Sequence, residues 1–80
     1  MRDRPLLVPA LDLPEVPITV AAWLAQVGGR VFEGDRLVEL LVGEVLLELD
    51  SPATGILLEQ CVPEHGVVQA GQVLGVVRER

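Results

Sequence analysis

Lysine is missing from this chain. All six cationic residues are arginine: Arg2, Arg4, Arg30, Arg36, Arg78 and Arg80. No side-chain primary amine is therefore available along it. Aromatic residues are almost absent, with Trp23 and Phe32 the only two. Two aromatics cannot build a platform on which bases stack. Positive charge is scarce as well, since twelve acidic residues give a net charge of -6. No nucleic-acid partner is expected, because binding phosphates requires a basic footprint.

Cysteine is reduced to one residue, Cys61. An internal disulfide is impossible, and no cluster of zinc-ligand spacing exists. A reducing cytoplasm fits this usage best. Long apolar runs are lacking too. Pro5, Pro9 and Pro14 interrupt the first residues before any apolar run reaches signal-peptide length. No segment approaches the ~20 apolar residues of a membrane helix. The expectation is an unprocessed cytoplasmic chain with no membrane partner. Eighty residues make one small domain, 1–80 with a core over about 6–77. Such a chain sits at the lower edge of what one hydrophobic core supports without staples.

What is present is valine, leucine and isoleucine in short runs, punctuated by glycine, proline and acidic turn residues. That pattern predicts an all-β barrel or sandwich. The expected strands are Leu6–Val8, Ile18–Ala22, Leu37–Val42, Val45–Leu49, Ile56–Val62 and Val73–Val77, with shorter pieces near Arg30–Val31 and Val67–Val68. "AAWLAQV" has the makings of one helical turn. It is too short to propagate, and Gly28-Gly29 stops it.

An internal repeat underlies the pattern. A shift of 37 residues sets Gly29 on Gly66, Val31 on Val68, Gly34 on Gly71 and Leu37 on Leu74. Apolar character also matches at Val20/Leu57, Leu24/Cys61 and Leu40/Val77. Neither half can bury its apolar face alone, so the two must pack together. The predicted fold is a flattened barrel-sandwich hybrid of two small antiparallel sheets with pseudo-twofold symmetry. The symmetric copy of the Gly43-Glu44 turn falls at positions 80 and 81. The hairpin tip and the C-terminus are therefore expected at opposite ends of the domain.

Taken in order, these pieces resemble the biotinyl/lipoyl attachment domain family. They are most similar to the lipoyl domains of 2-oxo-acid dehydrogenase acyltransferases. The matching features are "LLVPAL", "TVAAWLAQVGGRVFEGDRLVEL" from Thr19 to Leu40, the Ser51-Pro52-Ala53-Thr54-Gly55 turn and the closing "GQVLGVV". The resemblance covers about Leu6 to Val77. It implies a carrier module in which an Asp-Lys-Ala tip presents a tethered arm. Counting back from Ser51-Pro52, or forward from Gly34-Asp35, the three tip positions are Gly43, Glu44 and Val45. Glu44 thus stands at the attachment position. A carboxylate cannot form the amide that tethers lipoate or biotin, and no lysine exists elsewhere. The resemblance therefore implies a carrier-like domain with no cofactor.

Other residues have plainer readings. Gly29, Gly34, Gly66 and Gly71 belong to turns that need positive φ or close approach. Cys61 is expected in mid-strand as a small buried hydrophobe. His65, the only histidine, reads as a solvated turn residue. A Cys61–His65 catalytic pair lacks a third orienting group. A phosphoryl-carrying His65 lacks a basic surround, having only Arg30 as a candidate and Glu64 beside it. Glu33, Asp35, Glu39, Glu44, Glu48 and Asp50 spread along strands rather than converging, so no metal site is expected. Alternation sends Leu41 and Val42 to opposite faces, so at least one meets solvent. Leu41, Val42, Gly43, Glu44 and Val45 form the candidate interaction surface, with Leu46 able to extend it. The expected function is non-enzymatic: docking or assembly with a protein partner, such as a component of a 2-oxo-acid dehydrogenase or carboxylase complex. The alternative is a homodimer or adaptor built on the apolar hairpin edge.

Overall fold

The computed structural model describes residues 2–11 and 15–80. Pro14 lies outside the described residues. The strands are β1 (Arg2–Leu7), β2 (Ile18–Trp23), β3 (Arg30–Val31), β4 (Arg36–Val42), β5 (Val45–Asp50), β6 (Gly55–Gln60), β7 (Val67–Val68) and β8 (Val73–Glu79). They form two four-stranded antiparallel sheets, ordered β1-β8-β6-β3 and β5-β4-β2-β7. No helix occurs among the described residues, and "AAWLAQV" completes β2 and turns. Each sheet keeps two free edges, so the assembly is a sandwich and not a closed barrel.

The 37-residue repeat is the symmetry of the fold. It carries β2 onto β6, β3 onto β7 and β4 onto β8 without an offset at either strand end. The pairings follow. Ile18 faces Val42 as Gly55 faces Glu79, and Trp23 faces Val38 as Gln60 faces Gly75. A β-bulge interrupts both ladders at the same place, between Val20 and Ala22 and between Leu57 and Glu59. β1 completes the first sheet as β5 completes the second: Leu7 faces Val73, and Asp50 faces Arg36. The end of β8 lies beside Thr54, whose carbonyl accepts from the Arg80 N–H at 3.1 Å. Thr54 follows the end of β5, opposite the β4–β5 turn, so the tip and the C-terminus point apart.

Inward positions explain why the chain holds this shape. Val20, Leu37, Val38, Leu40, Leu57, Leu74 and Val77 have no exposure, and Val8, Val31 and Ala53 are nearly as buried. Both halves contribute, as the repeat requires. Each fully buried leucine contributes roughly 1.5–3 kcal/mol relative to an exposed one. The polar exception is Ser51, whose hydroxyl donates to the Ala53 carbonyl at 2.6 Å. That bond closes the Ser-Pro-Ala-Thr-Gly turn, and no side-chain polar atom among the described residues is left buried and unpaired.

Three expectations need correction. β1 starts at Arg2 and not at Leu6, because an edge strand accommodates Pro5 and outward-facing charge. β6 ends at Gln60 and not at Val62. Cys61 is therefore not in mid-strand and not buried; it is exposed in the turn that follows.

Candidate functional site

The β4–β5 turn is a two-residue hairpin with Val42 facing Val45. Gly43 has φ 61°, while Glu44 has no positive φ. Glycine at the first central position with that signature is the pattern of a type II′ turn, which suits the strand twist. The tip is braced from the side. The Gly43 N–H donates to the Pro17 carbonyl at 3.3 Å, and a Cβ on Gly43 would sit 3.1 Å from Cγ1 of Val16. Glu44 projects from this support, exposed and joined to no hydrogen bond or ion pair among the described residues.

Alternation divides the flanking residues as expected. Val42 points into the core at 7% exposure, so it offers no contact surface. Leu41 points outward at 37%, opposite Leu46 at 56%, while Val45 shares Val42's face and is exposed at 66% only because β5 is an edge strand. The outward face thus gains Leu46 and loses Val42. The acidic residues do not converge. Glu39 lies directly across from Glu48, and Glu48 is held instead by Arg36 at 2.9 Å. Among the described residues no group of three or more histidine, cysteine or acidic side chains could hold a metal.

No hydrogen bond joins Cys61 to His65 among the described residues. The Cys61 thiol lies 3.8 Å from the Glu59 carboxylate. Desolvation raises the thiol pKa above its usual 9.0, and the neighbouring Glu59 charge and hydrogen bond raise it further. A nucleophilic cysteine needs the opposite shift. His65 has φ 73° in a turn, and its backbone N–H donates to the Val20 carbonyl at 2.7 Å. No hydrogen bond or ion pair engages its imidazole among the described residues. Glu64 is occupied as an acceptor for the Trp23 backbone N–H at 3.0 Å. Gly34 and Gly71 adopt φ 90° and 84°, which bears out their turn role.

Among the exposed apolar residues that no sequence pattern marks, one lies on the hairpin's own sheet. Val67, in β7, is 70% exposed and sits across from Thr19 on the hairpin's own sheet. Its neighbourhood depends on a pairing between strands far apart in sequence, and no local pattern marks it.

A family model of the biotin/lipoyl group, described as "Biotin-requiring enzyme", matches residues 10–77. The chain belongs to the biotin/lipoyl attachment family. Its relatives place it with the lipoyl domains of 2-oxo-acid dehydrogenase acyltransferases. It is 40% identical over 81 residues to the dihydrolipoyllysine-residue succinyltransferase component of the 2-oxoglutarate dehydrogenase complex of Escherichia coli K12, covering 99% of this chain and 20% of that protein. The corresponding component of Staphylococcus saprophyticus is 36% identical over 77 residues, covering 90% and 18%. The acetyltransferase component of the pyruvate dehydrogenase complex of Mycobacterium bovis is 36% identical over 68 residues, covering 85% and 12%. The chain spans a fifth or less of the length of these relatives.

Proposed function

We propose that this domain acts as an unmodified lipoyl-type module, docking to or helping assemble a 2-oxo-acid dehydrogenase complex without carrying an arm. The observation that carries this reading is the absence of any lysine, together with a glutamate at the braced hairpin tip. Lipoate and biotin are both attached through an amide to a lysine amine. Glu44 offers a carboxylate at that point, which cannot form the bond. The role left to the scaffold is recognition, and catalysis belongs to its partners. A 2-oxo-acid dehydrogenase component is the favoured partner, because the relatives are components of such complexes. A carboxylase component is a less favoured one. The cytoplasm is the compartment that fits, and no helix among the described residues is long and apolar enough to cross a membrane. Intact-protein mass spectrometry of material from its native cell tests the proposal. The unmodified mass is expected, and a lipoyl or biotinyl adduct would refute it.

A second reading is favoured by β5. It is an edge strand, "VLLELD", with no proline or lysine along it. The equivalent edge β1, "RDRPLL", carries Pro5 and three charges. Proline and inward or flanking charge are the usual protection against edge pairing. On this reading β5 pairs with a second copy and makes a homodimer. Sedimentation equilibrium over a hundredfold concentration range separates the two: a constant monomer mass rules out the dimer.

A further inference from the structure

Four outward side chains form one row across the whole hairpin-bearing sheet. Val67 faces Thr19, Thr19 faces Leu41, and Leu41 faces Leu46. Directly opposed residues in a sheet share a face, so these four side chains stand together. At strand spacings of about 4.8 Å the row is roughly 14 Å long. Three of its members are exposed apolar residues.

The fold does not require this. The symmetry places Arg30, Ile56, Arg78 and Asp3 in the same row of the other sheet. There the row is charged and closed by the Arg78–Asp3 ion pair at 2.9 Å. Strand pairing and register are shared between the halves, so they do not account for the difference. The next outward row is also altered. Glu39 and Glu48 oppose each other where the sister sheet has Val76 and Pro5. Glu44 borders the row at the tip. The hairpin sheet thus carries an apolar stripe bordered by Glu44 on one side and by Glu39 and the Arg36-paired Glu48 on the other.

We propose that this outer face, Val67-Thr19-Leu41-Leu46, is the docking surface for a protein partner whose contact patch is apolar at its centre and rimmed by arginine or lysine. The inference rests on the docking role proposed above and moves its centre from the tip to the sheet. Charge complementarity selects the partner. A second copy is disfavoured, because face-to-face packing would bring the Glu39 and Glu44 carboxylates, neither held in an ion pair among the described residues, against those of the other chain. A stripe four residues long is also small beside the ~800 Å² per partner that a stable interface buries. It suits a transient encounter, whose rate the acidic rim would raise and salt would lower.

The sister sheet supplies variants that the fold accommodates. Leu41→Arg copies Arg78, and Val67→Arg copies Arg30. The test is titration of the ¹⁵N-labelled chain, wild type and each variant, with the purified 2-oxo-acid dehydrogenase component of the same cell. A parallel titration uses the unlabelled chain itself. Dispersed amide spectra first establish that the variants are folded. The expected result is perturbation of Thr19, Leu41, Leu46 and Val67 amides, binding weakened at least tenfold by either arginine, and weaker binding in higher salt. Perturbation confined to Gly43–Val45, with both variants binding like wild type, overturns this surface and leaves the docking role standing. Row perturbation seen only with the unlabelled chain makes a second copy the occupant and overturns the basic-rimmed partner. No binding of the wild type to the dehydrogenase component overturns both the surface and the docking role.

Discussion

His65 occupies the backbone position of Gly28. Both are left-handed, with φ 73° and 89°, and each N–H donates across the sheet, to Val20 at 2.7 Å and to Leu57 at 2.8 Å. The left-handed conformation costs an L-residue roughly 1–2 kcal/mol. Glycine there avoids that cost but loses about 0.5–1 kcal/mol through its freer unfolded chain. His65→Gly is therefore expected to raise stability by about 0.5–1 kcal/mol by urea denaturation. Gly28→Ala is expected to lower it by a similar amount, although open space surrounds its missing Cβ. If His65→Gly destabilises the chain, the imidazole has a structural role that the fold does not reveal. Loss of partner binding in this folded variant would give His65 a functional role.

Leu40 and Leu41 are neighbours in sequence with opposite fates. Leu40 has no exposure, and Leu41 lies on the outer face. Leu40→Ala is expected to cost about 2–5 kcal/mol through lost burial and the cavity left behind. A domain of this size has on the order of 4–12 kcal/mol in total, so partial unfolding at 25 °C is within that range. Leu41→Ala should fall within about 0.5 kcal/mol of wild type. Thermal melts of the two variants check the contrast, and equal costs would contradict the assigned faces.

The Cys61 thiol is exposed yet expected to be sluggish. Its pKa is raised, so it stays protonated at pH 8, where a freely solvated thiol begins to ionise. The linkage has a definite sign. The stabilising contribution is fully present below the unfolded pKa near 9.0 and is lost as pH rises through the higher folded value. Iodoacetamide labelling against pH should show its midpoint above 9.0, and Glu59→Gln should move it down. A midpoint below 9.0 would mark an activated cysteine and reopen a catalytic reading.

Much of the fold was legible because the repeat was. Gly29/Gly66, Gly34/Gly71 and Leu37/Leu74 gave the offset that relates strand ends, bulges and turns alike. The same alignment misled at Cys61. Pairing it with Leu24 was right, since their N–H groups donate to Leu37 and Leu74 in equivalent bonds. That pairing does not carry burial with it, because Leu24 is itself exposed just past the end of its strand. β1 extends beyond its apolar residues, because "RDRP" reads as a loop until an edge position explains it. At the site, alternation separated Leu41 from Val42. The row through Thr19 and Val67 stayed hidden because β7 joins the sheet from the other half of the chain.

The central claim is that this hairpin presents Glu44 where a carrier lysine belongs, and so bears no arm. Its most direct test is intact mass after incubation with lipoate, ATP and a lipoate-attaching enzyme, on wild type and Glu44→Lys side by side. The account predicts no adduct on the wild type and one lipoyl group on Glu44→Lys. An adduct on the wild type would contradict the armless reading. A folded Glu44→Lys that stays unmodified would contradict the register.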